Sequence, residues 1–270
     1  MGLFNREHRQ LHYQLFVHSD PSEKTPLVIY LHGLMMDNLS SGYFTFAHQL
    51  SAEAHVLLYD LIGHGRSSFE SEGYLITDHL ADLSALIEHV KIELDDVHLP
   101  IILIGCSFGG MLALRAAEEL SEVTSVVLLE GHIGSPSFIE QLTADLSASG
   151  EEAKTLVMTH FQHWLHRGSE RKRARLEKRS RALIHQSTLV QDLRDSHLEG
   201  PVKVELETPI LYLYGGQSDA YDRARELYES RLHRGALGDV FMPFNECSHA
   251  LLWEATEAVT DELSRWIIDH

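Results

Sequence analysis

The run Ile101-Ile102-Leu103-Ile104-Gly105-Cys106-Ser107-Phe108-Gly109-Gly110-Met111 constrains the fold more than any other stretch, because it prescribes a buried strand, a sharp turn and a helix in succession. The strand half is isoleucine and leucine, and Met111 to Leu120 is rich in strong helix formers. In the pattern Gly105-x-Ser107-x-Gly109 the serine sits at the apex of the turn, in a strained backbone conformation that exposes its hydroxyl. Glycines two residues to either side are needed because a β-carbon there would strike the neighbouring strand or helix. Ser107 is therefore the candidate nucleophile. Cys106, beside it, is turned away from the apex.

Further apolar or alternating segments at 11–18, 27–31, 55–59, 101–104, 123–129, 210–214 and 239–242 read as strands. Amphipathic helices fall between several of them. Leu80, Leu83, Ile87 and Val90 make one apolar stripe, with Thr77 or Asp78 placed as a cap, which predicts a helix over 78–91. Val259, Leu263 and Ile267 give the last helix a similar stripe. Strands alternating with helices imply an α/β fold, a mostly parallel central sheet with helices on both faces.

Roughly 80 residues separate the strand ending near Leu129 from the one starting at Ile210, far more than an ordinary connection needs. Leu156, Phe161 and Trp164 recur there at helical spacing, so residues 133–203 read as an inserted helical lid over the carboxyl edge of the sheet. Residues 1–132 and 204–270 then form the core. His160, His163 and His166 also lie in the insertion, but a row at this spacing drifts around a helix and lacks an accompanying ligand set. A pocket-lining or solvated face is expected of them, and neither a metal nor a cofactor.

A serine nucleophile needs a base to take its proton and an anionic group to orient that base. Asp219 lies in the loop Gly215-Gly216-Gln217-Ser218-Asp219 after a buried strand, and His249 lies after the last strand and before the final helix. The order Ser107, Asp219, His249, each just past a strand, resembles the α/β-hydrolase superfamily. Two further pieces carry the same resemblance: His32-Gly33-Leu34 after the strand at 27–31, and Asp60-Leu61-Ile62-Gly63-His64-Gly65-Arg66-Ser67-Ser68 after the strand at 55–59.

The resemblance implies a serine hydrolase. His249 would deprotonate Ser107 and later protonate the leaving group. Asp219 would stabilise the imidazolium, and removing such a charge costs about 10⁴ in turnover. The backbone N–H groups of Phe108 and Leu34 would form the oxyanion hole, each donor worth about 10²–10³. Glu130, which ends the strand at 123–129, is the alternative acid, since some members of the superfamily draw their carboxylate from that position; Asp219 is favoured. His32 and His64 are expected to shape loops, and Asp37 to sit in a turn.

Two features of the insertion bear on substrate. Apolar residues such as Phe161 and Trp164 suit a hydrophobic acyl chain. Arg167, Arg171, Lys172, Arg173, Arg175, Lys178, Arg179 and Arg181 face only Glu170 and Glu177, a positive island in a chain of formal charge −18. Arg171, Arg173 and Arg175 could dock an acidic acyl carrier protein or the phosphates of a pantetheine arm, although a solvated helix face explains the run as well. The expected substrate is thus a small-molecule carboxylic ester or acyl thioester. A carbon–carbon bond hydrolase, a lyase, an acyltransferase or a non-catalytic ligand-binding module on the same fold stays open as the alternative.

The acidic balance, 22 Lys and Arg against 40 Asp and Glu, argues against general binding to nucleic acid or to anionic membranes. The first residues lack the apolar stretch of a signal peptide and no run is long enough to span a bilayer, so a cytoplasmic location is expected. Two cysteines, Cys106 and Cys247, make no disulfide framework.

Overall fold

Strand follows helix along most of the chain, and the strands assemble in the order β1-β2-β4-β3-β5-β6-β7-β8 in one sheet. A computed structural model describes residues 1–33, 38–68, 70, 73, 75–131, 206–236 and 238–270. The elements are β1 (Gly2–Arg6), β2 (Arg9–Phe16), β3 (Leu27–Leu31), α1 (Ser40–Tyr43), α2 (Ala47–Leu50), β4 (His55–Tyr59) and α3 (Ile76–Leu94). They continue with β5 (Ile101–Cys106), α4 (Phe108–Glu119), β6 (Val123–Leu129), β7 (Ile210–Gly215), α5 (Tyr221–His233), β8 (Val240–Phe244), α6 (Leu251–Glu254) and α7 (Thr256–Asp269). The hairpin β1–β2 and the β2–β4 pair are antiparallel; β4, β3, β5, β6, β7 and β8 run parallel.

Strands 3 to 7 are apolar along almost their whole length because both faces are covered, as a parallel sheet requires. Leu27, Ile29 and Leu31 of β3 face α3, α4 and α5 in one core layer, while Val28 and Tyr30 face the other layer with α2, α6 and α7. The stripe Leu80, Leu83, Ile87 and Val90 of α3 and the stripe Val259, Leu263 and Ile267 of α7 are buried in these two layers.

Several boundaries move. The first strand β1 has no counterpart among the segments expected from sequence. Helix α3 runs beyond the expected 78–91 at both ends, and its start is not capped from Thr77; Asp78, third in the helix, accepts the Leu75 N–H at 3.0 Å. The last strand lies at Val240–Phe244 rather than 239–242. Strands β6 and β7 are sheet neighbours although residues 130–209 separate them. The expected lid at 133–203, with Phe161, Trp164, His160, His163, His166, Arg171, Arg173 and Arg175, lies outside the described residues, as do Leu34 and Asp37.

The sheet order reverses at β3: the chain passes from β3 to β4 on one side and then to β5 on the other. In open α/β sheets this switch point, at the carboxyl ends of the strands, is where ligands bind. Gly33 after β3 and Ser107 after β5 meet there; a β-carbon on Gly33 would lie 3.1 Å from Ser107 Cβ.

Candidate active site

Ser107 lies between β5 and α4 as the cap of the helix, with φ 50 and ψ −118, a positive φ that a non-glycine residue adopts only under constraint from its surroundings. The constraint is backbone packing. A β-carbon on Gly109 would overlap the Leu31 carbonyl and lie 2.9 Å from the His32 carbonyl, and one on Gly105 would lie 2.6 Å from Gly110 Cα. Strand β3, strand β5 and helix α4 thus pack as tightly as the glycines permit, and Ser107 is held between them.

His249, in the loop between β8 and α6, places Nε2 at 3.2 Å from Ser107 Oγ. Its Nδ1 lies 3.0 Å from Glu130 Oε2. A carboxylate can only accept, so Nδ1 carries the proton and Nε2 presents its lone pair to the serine hydroxyl. The histidine side chain is 24% exposed and Glu130 only 1%, so the imidazole reaches the surface while its carboxylate partner is enclosed.

Glu130, the alternative, occupies the position assigned to Asp219. Glu130 follows β6 with φ 53, itself a left-handed conformation, and its N–H is bonded to the Leu213 carbonyl at 2.9 Å. Its Oε1 accepts the Gly215 N–H, and its Oε2 accepts the Ser218 hydroxyl at 2.6 Å beside His249. The turn after β7 is closed by bonds from Ser218 N to Gly215 O, Gly216 N to Phe244 O and Gln217 N to Cys247 O. That closure turns Ser218 onto Glu130 and leaves Asp219 exposed. The loop after β7 therefore supplies donors to Glu130 and no carboxylate to His249.

Tyr214 reinforces the arrangement by donating its hydroxyl to the Gly131 carbonyl at 2.6 Å. Burial, together with the nearby Glu130 carboxylate, holds the Tyr214 phenol well above its ordinary range, so it stays a neutral donor. Cys106 and Cys247 form no disulfide and are half-buried against the core layer on the other face of the sheet from Tyr214. Burial followed by repulsion from Glu254 and Glu130 raises the Cys247 thiol, which keeps it protonated and a poor nucleophile.

Phe108 is the first residue of α4, so its N–H has no carbonyl partner within the helix. It stands at the positive end of a 12-residue helix, directly after Ser107 in the chain. His32 shapes its loop as expected: Nε2 accepts the Leu61 N–H at 2.9 Å, and Nδ1 donates to the Gly33 carbonyl at 2.7 Å. His64 packs edge-on against His32 at 5.1 Å and is itself buried. Asp60 fixes the rest of this region by accepting the N–H groups of Leu39 and Arg66 and pairing with His12. Among the described residues no group of His, Cys, Asp and Glu has the arrangement of a metal site. Nor is any helix among them long and apolar enough to cross a membrane.

A sheet with this order, carrying a strained serine against a histidine and an enclosed glutamate, has the architecture of an α/β hydrolase. The chain belongs to the alpha/beta hydrolase family, whose model matches residues 28–262. Among solved structures it is similar to an esterase from Exiguobacterium antarcticum, at 17% identity and a TM-score of 0.74 over 96% of both chains. It is similar to the enol-lactonase from Burkholderia xenovorans LB400, at 18% identity and 0.74 over 100% of both. It also resembles MenH from S. aureus, at 18% and 0.73 over 96% of this chain and 98% of that one. A search of curated protein sequences returns no match. Likeness at these identities is likeness of fold alone.

Proposed function

We propose that this hydrolase cleaves a carboxylic ester or an acyl thioester through an acyl-enzyme on Ser107. The observation that carries the reading is the unbroken line from Ser107 Oγ through His249 to Glu130, with contacts of 3.2 and 3.0 Å. In the first half-reaction His249 Nε2 takes the Ser107 proton as Oγ attacks the acyl carbon. The Phe108 N–H, and in this reading that of Leu34, receive the oxyanion. His249 then returns the proton to the departing alcohol or thiol. In the second half-reaction a water attacks the acyl carbon as His249 takes its proton, and the acyl–Oγ bond then breaks as His249 returns that proton to Ser107 Oγ, releasing the carboxylic acid. Glu130 holds His249 Nδ1 throughout and stabilises the imidazolium.

The finer reading of substrate rests on the sequence of the insertion: apolar positions such as Phe161 and Trp164 for the acyl chain, and Arg171, Arg173 and Arg175 for a carrier protein or a pantetheine phosphate. Reversing the three arginines to glutamate should raise KM for carrier-bound substrate and leave small soluble esters unaffected.

A fluorophosphonate probe tests the reading whatever the acyl group and leaving group turn out to be. Ser107 Oγ should displace fluoride and become phosphonylated, with no labelling of Ser107→Ala. Absence of labelling in the wild-type protein would end the proposal. Hydrolysis rates across thioester and p-nitrophenyl ester panels, with Ser107→Ala as the blank, then rank acyl and leaving groups.

A further inference from the structure

Three donors converge on the Glu130 carboxylate, and one of them has its proton direction fixed by geometry. Ser218 Oγ accepts the Ala220 N–H at 3.2 Å and lies 2.6 Å from Glu130 Oε2. An ionised carboxylate has no proton to give, so the hydroxyl proton of Ser218 points at Oε2. The same oxygen receives His249 Nδ1, while Oε1 is held by the Gly215 N–H. Charge that Oε2 shares with the serine is charge it does not offer to the imidazole.

We propose that Ser218 is a positioning residue of the active site: through Glu130 it fixes the orientation of His249 and lowers its basicity. The inference rests on the triad of Ser107, His249 and Glu130 and adds to it a chain of polarised bonds, from Ala220 N–H through Ser218 and Glu130 to His249 and Ser107. In that chain Ser218 has two effects of opposite visibility. Its loss loosens the carboxylate, which slows the reaction. Its loss also leaves Oε2 to His249 alone, which stabilises the imidazolium and makes the base harder to deprotonate.

The other groups around the pair do not share this role. Tyr214 from β7 and Cys247 from the loop after β8 are neutral neighbours, both raised by burial, and Cys106 from β5 lies near Tyr214. Glu246 lies in the loop with Cys247, and Glu254 of α6 is occupied by the Ser248 N–H and hydroxyl at 2.6 and 2.8 Å. Asp219 is exposed in the next position of the chain. None is hydrogen-bonded to the Ser218 side chain, so removing its hydroxyl leaves their charges in place.

The test compares wild type with Ser218→Ala and Ser218→Thr. The rate of fluorophosphonate labelling is measured over roughly pH 5 to 9, the range in which a histidine base titrates. The Nδ1 proton resonance of His249, assigned by its disappearance in His249→Gln, is titrated in parallel. In Ser218→Ala the limiting labelling rate should fall about 3- to 30-fold, the range for losing one hydrogen bond to a charged group. Its acid limb and the His249 titration should both move up by about half a pH unit. Ser218→Thr, which keeps the hydroxyl, should return both to near the wild-type values. A slower Ser218→Ala with unmoved titration would overturn the inference and leave a merely structural serine. Wild-type protein that takes no label would overturn the functional reading, and the resonance titration alone would then decide the role of Ser218.

Discussion

Glu130 Oε2 and His249 Nδ1 meet at 3.0 Å across 119 residues of sequence, and this pairing is the ground for proposing Glu130 as the acid. Two carboxylates compete for the role in sequence but only one is enclosed and bonded to the imidazole. Glu130→Gln keeps the size of the side chain and removes its charge, so labelling and hydrolysis should fall about 10³–10⁴-fold. Asp219→Asn should stay within about 3-fold of wild type, the scale of a screened surface charge. Rates of both variants, measured side by side, check the assignment; a large loss in Asp219→Asn would reverse it.

The strands at 27–31, 55–59 and 123–129 were legible to the residue because burial on both faces writes continuous apolar runs. Ser107 was legible because close backbone packing leaves glycine as the only residue for 105 and 109. Strand β1 was not, since Gly2–Arg6 lies at a sheet edge and alternates between half-buried and exposed positions without an apolar run. That Glu130 and not Asp219 bonds to His249 was illegible for a different reason. Glu130 and Asp219 both follow apolar strands that end at the same edge, and the turn hydrogen bonds that point Ser218 inward have no signature in residue type. A glutamate directly after Val126-Val127-Leu128-Leu129, on a strand buried on both faces, was the one available signal.

Gly109 tests the packing that strains the nucleophile. A methyl group there would overlap the Leu31 carbonyl, and the obstacle is backbone that has no rotamer to yield. Gly109→Ala should destabilise the protein by about 3 kcal/mol, the upper end for overpacking, and should displace Ser107 from its apex. Urea denaturation gives the first number. The labelling rate of the folded fraction gives the second, with a loss beyond about 10²-fold expected from misplacing the nucleophile by an ångström.

Acid should unfold this protein earlier than its carboxylates alone would. His79 of α3 is buried, packs edge-on to Phe108 at 5.6 Å, and has no hydrogen-bond partner among the described residues at either ring nitrogen. Burial, then the neighbouring His64, Arg9 and His32, push it down to about 3. His64 is likewise pushed to about 3 by burial and by His32, against weaker opposing effects from the Ile62 carbonyl and Asp60. Both rings are neutral in the folded state and take protons in the unfolded chain below the ordinary value of 6.5. Their contribution is therefore complete above that pH and is lost as pH falls toward 3. Each adds a slope approaching about 1.4 kcal/mol per pH unit in that window. Replacing His79 by Phe keeps an aromatic ring against Phe108 and should remove roughly half of this steepness. Denaturant midpoints measured between roughly pH 7 and 4 decide it, and an unchanged slope would refute the assignment.

Arg231 fastens the chain where it rejoins the sheet. Its Nε and Nη2 bond to Asp239 at 2.6 and 3.0 Å, and its Nη1 and Nη2 reach the carbonyls of Leu206 and Thr208 at 2.7 and 2.9 Å. Asp239 in turn accepts the Ile210 N–H at 3.0 Å, so the approach to β7 is tied to the start of β8 through one guanidinium. The side chains are 2% and 0% exposed, which leaves neither charge an aqueous alternative. Lysine keeps the charge but cannot reproduce the fork, so Arg231→Lys should cost about 1–3 kcal/mol, and Arg231→Ala about 3–5 kcal/mol because Asp239 is then buried without its partner. The graded loss, read from urea denaturation midpoints, separates the directional role of the guanidinium from its charge; equal losses in the two variants would mean that the four-way hydrogen bonding contributes nothing beyond neutralising Asp239.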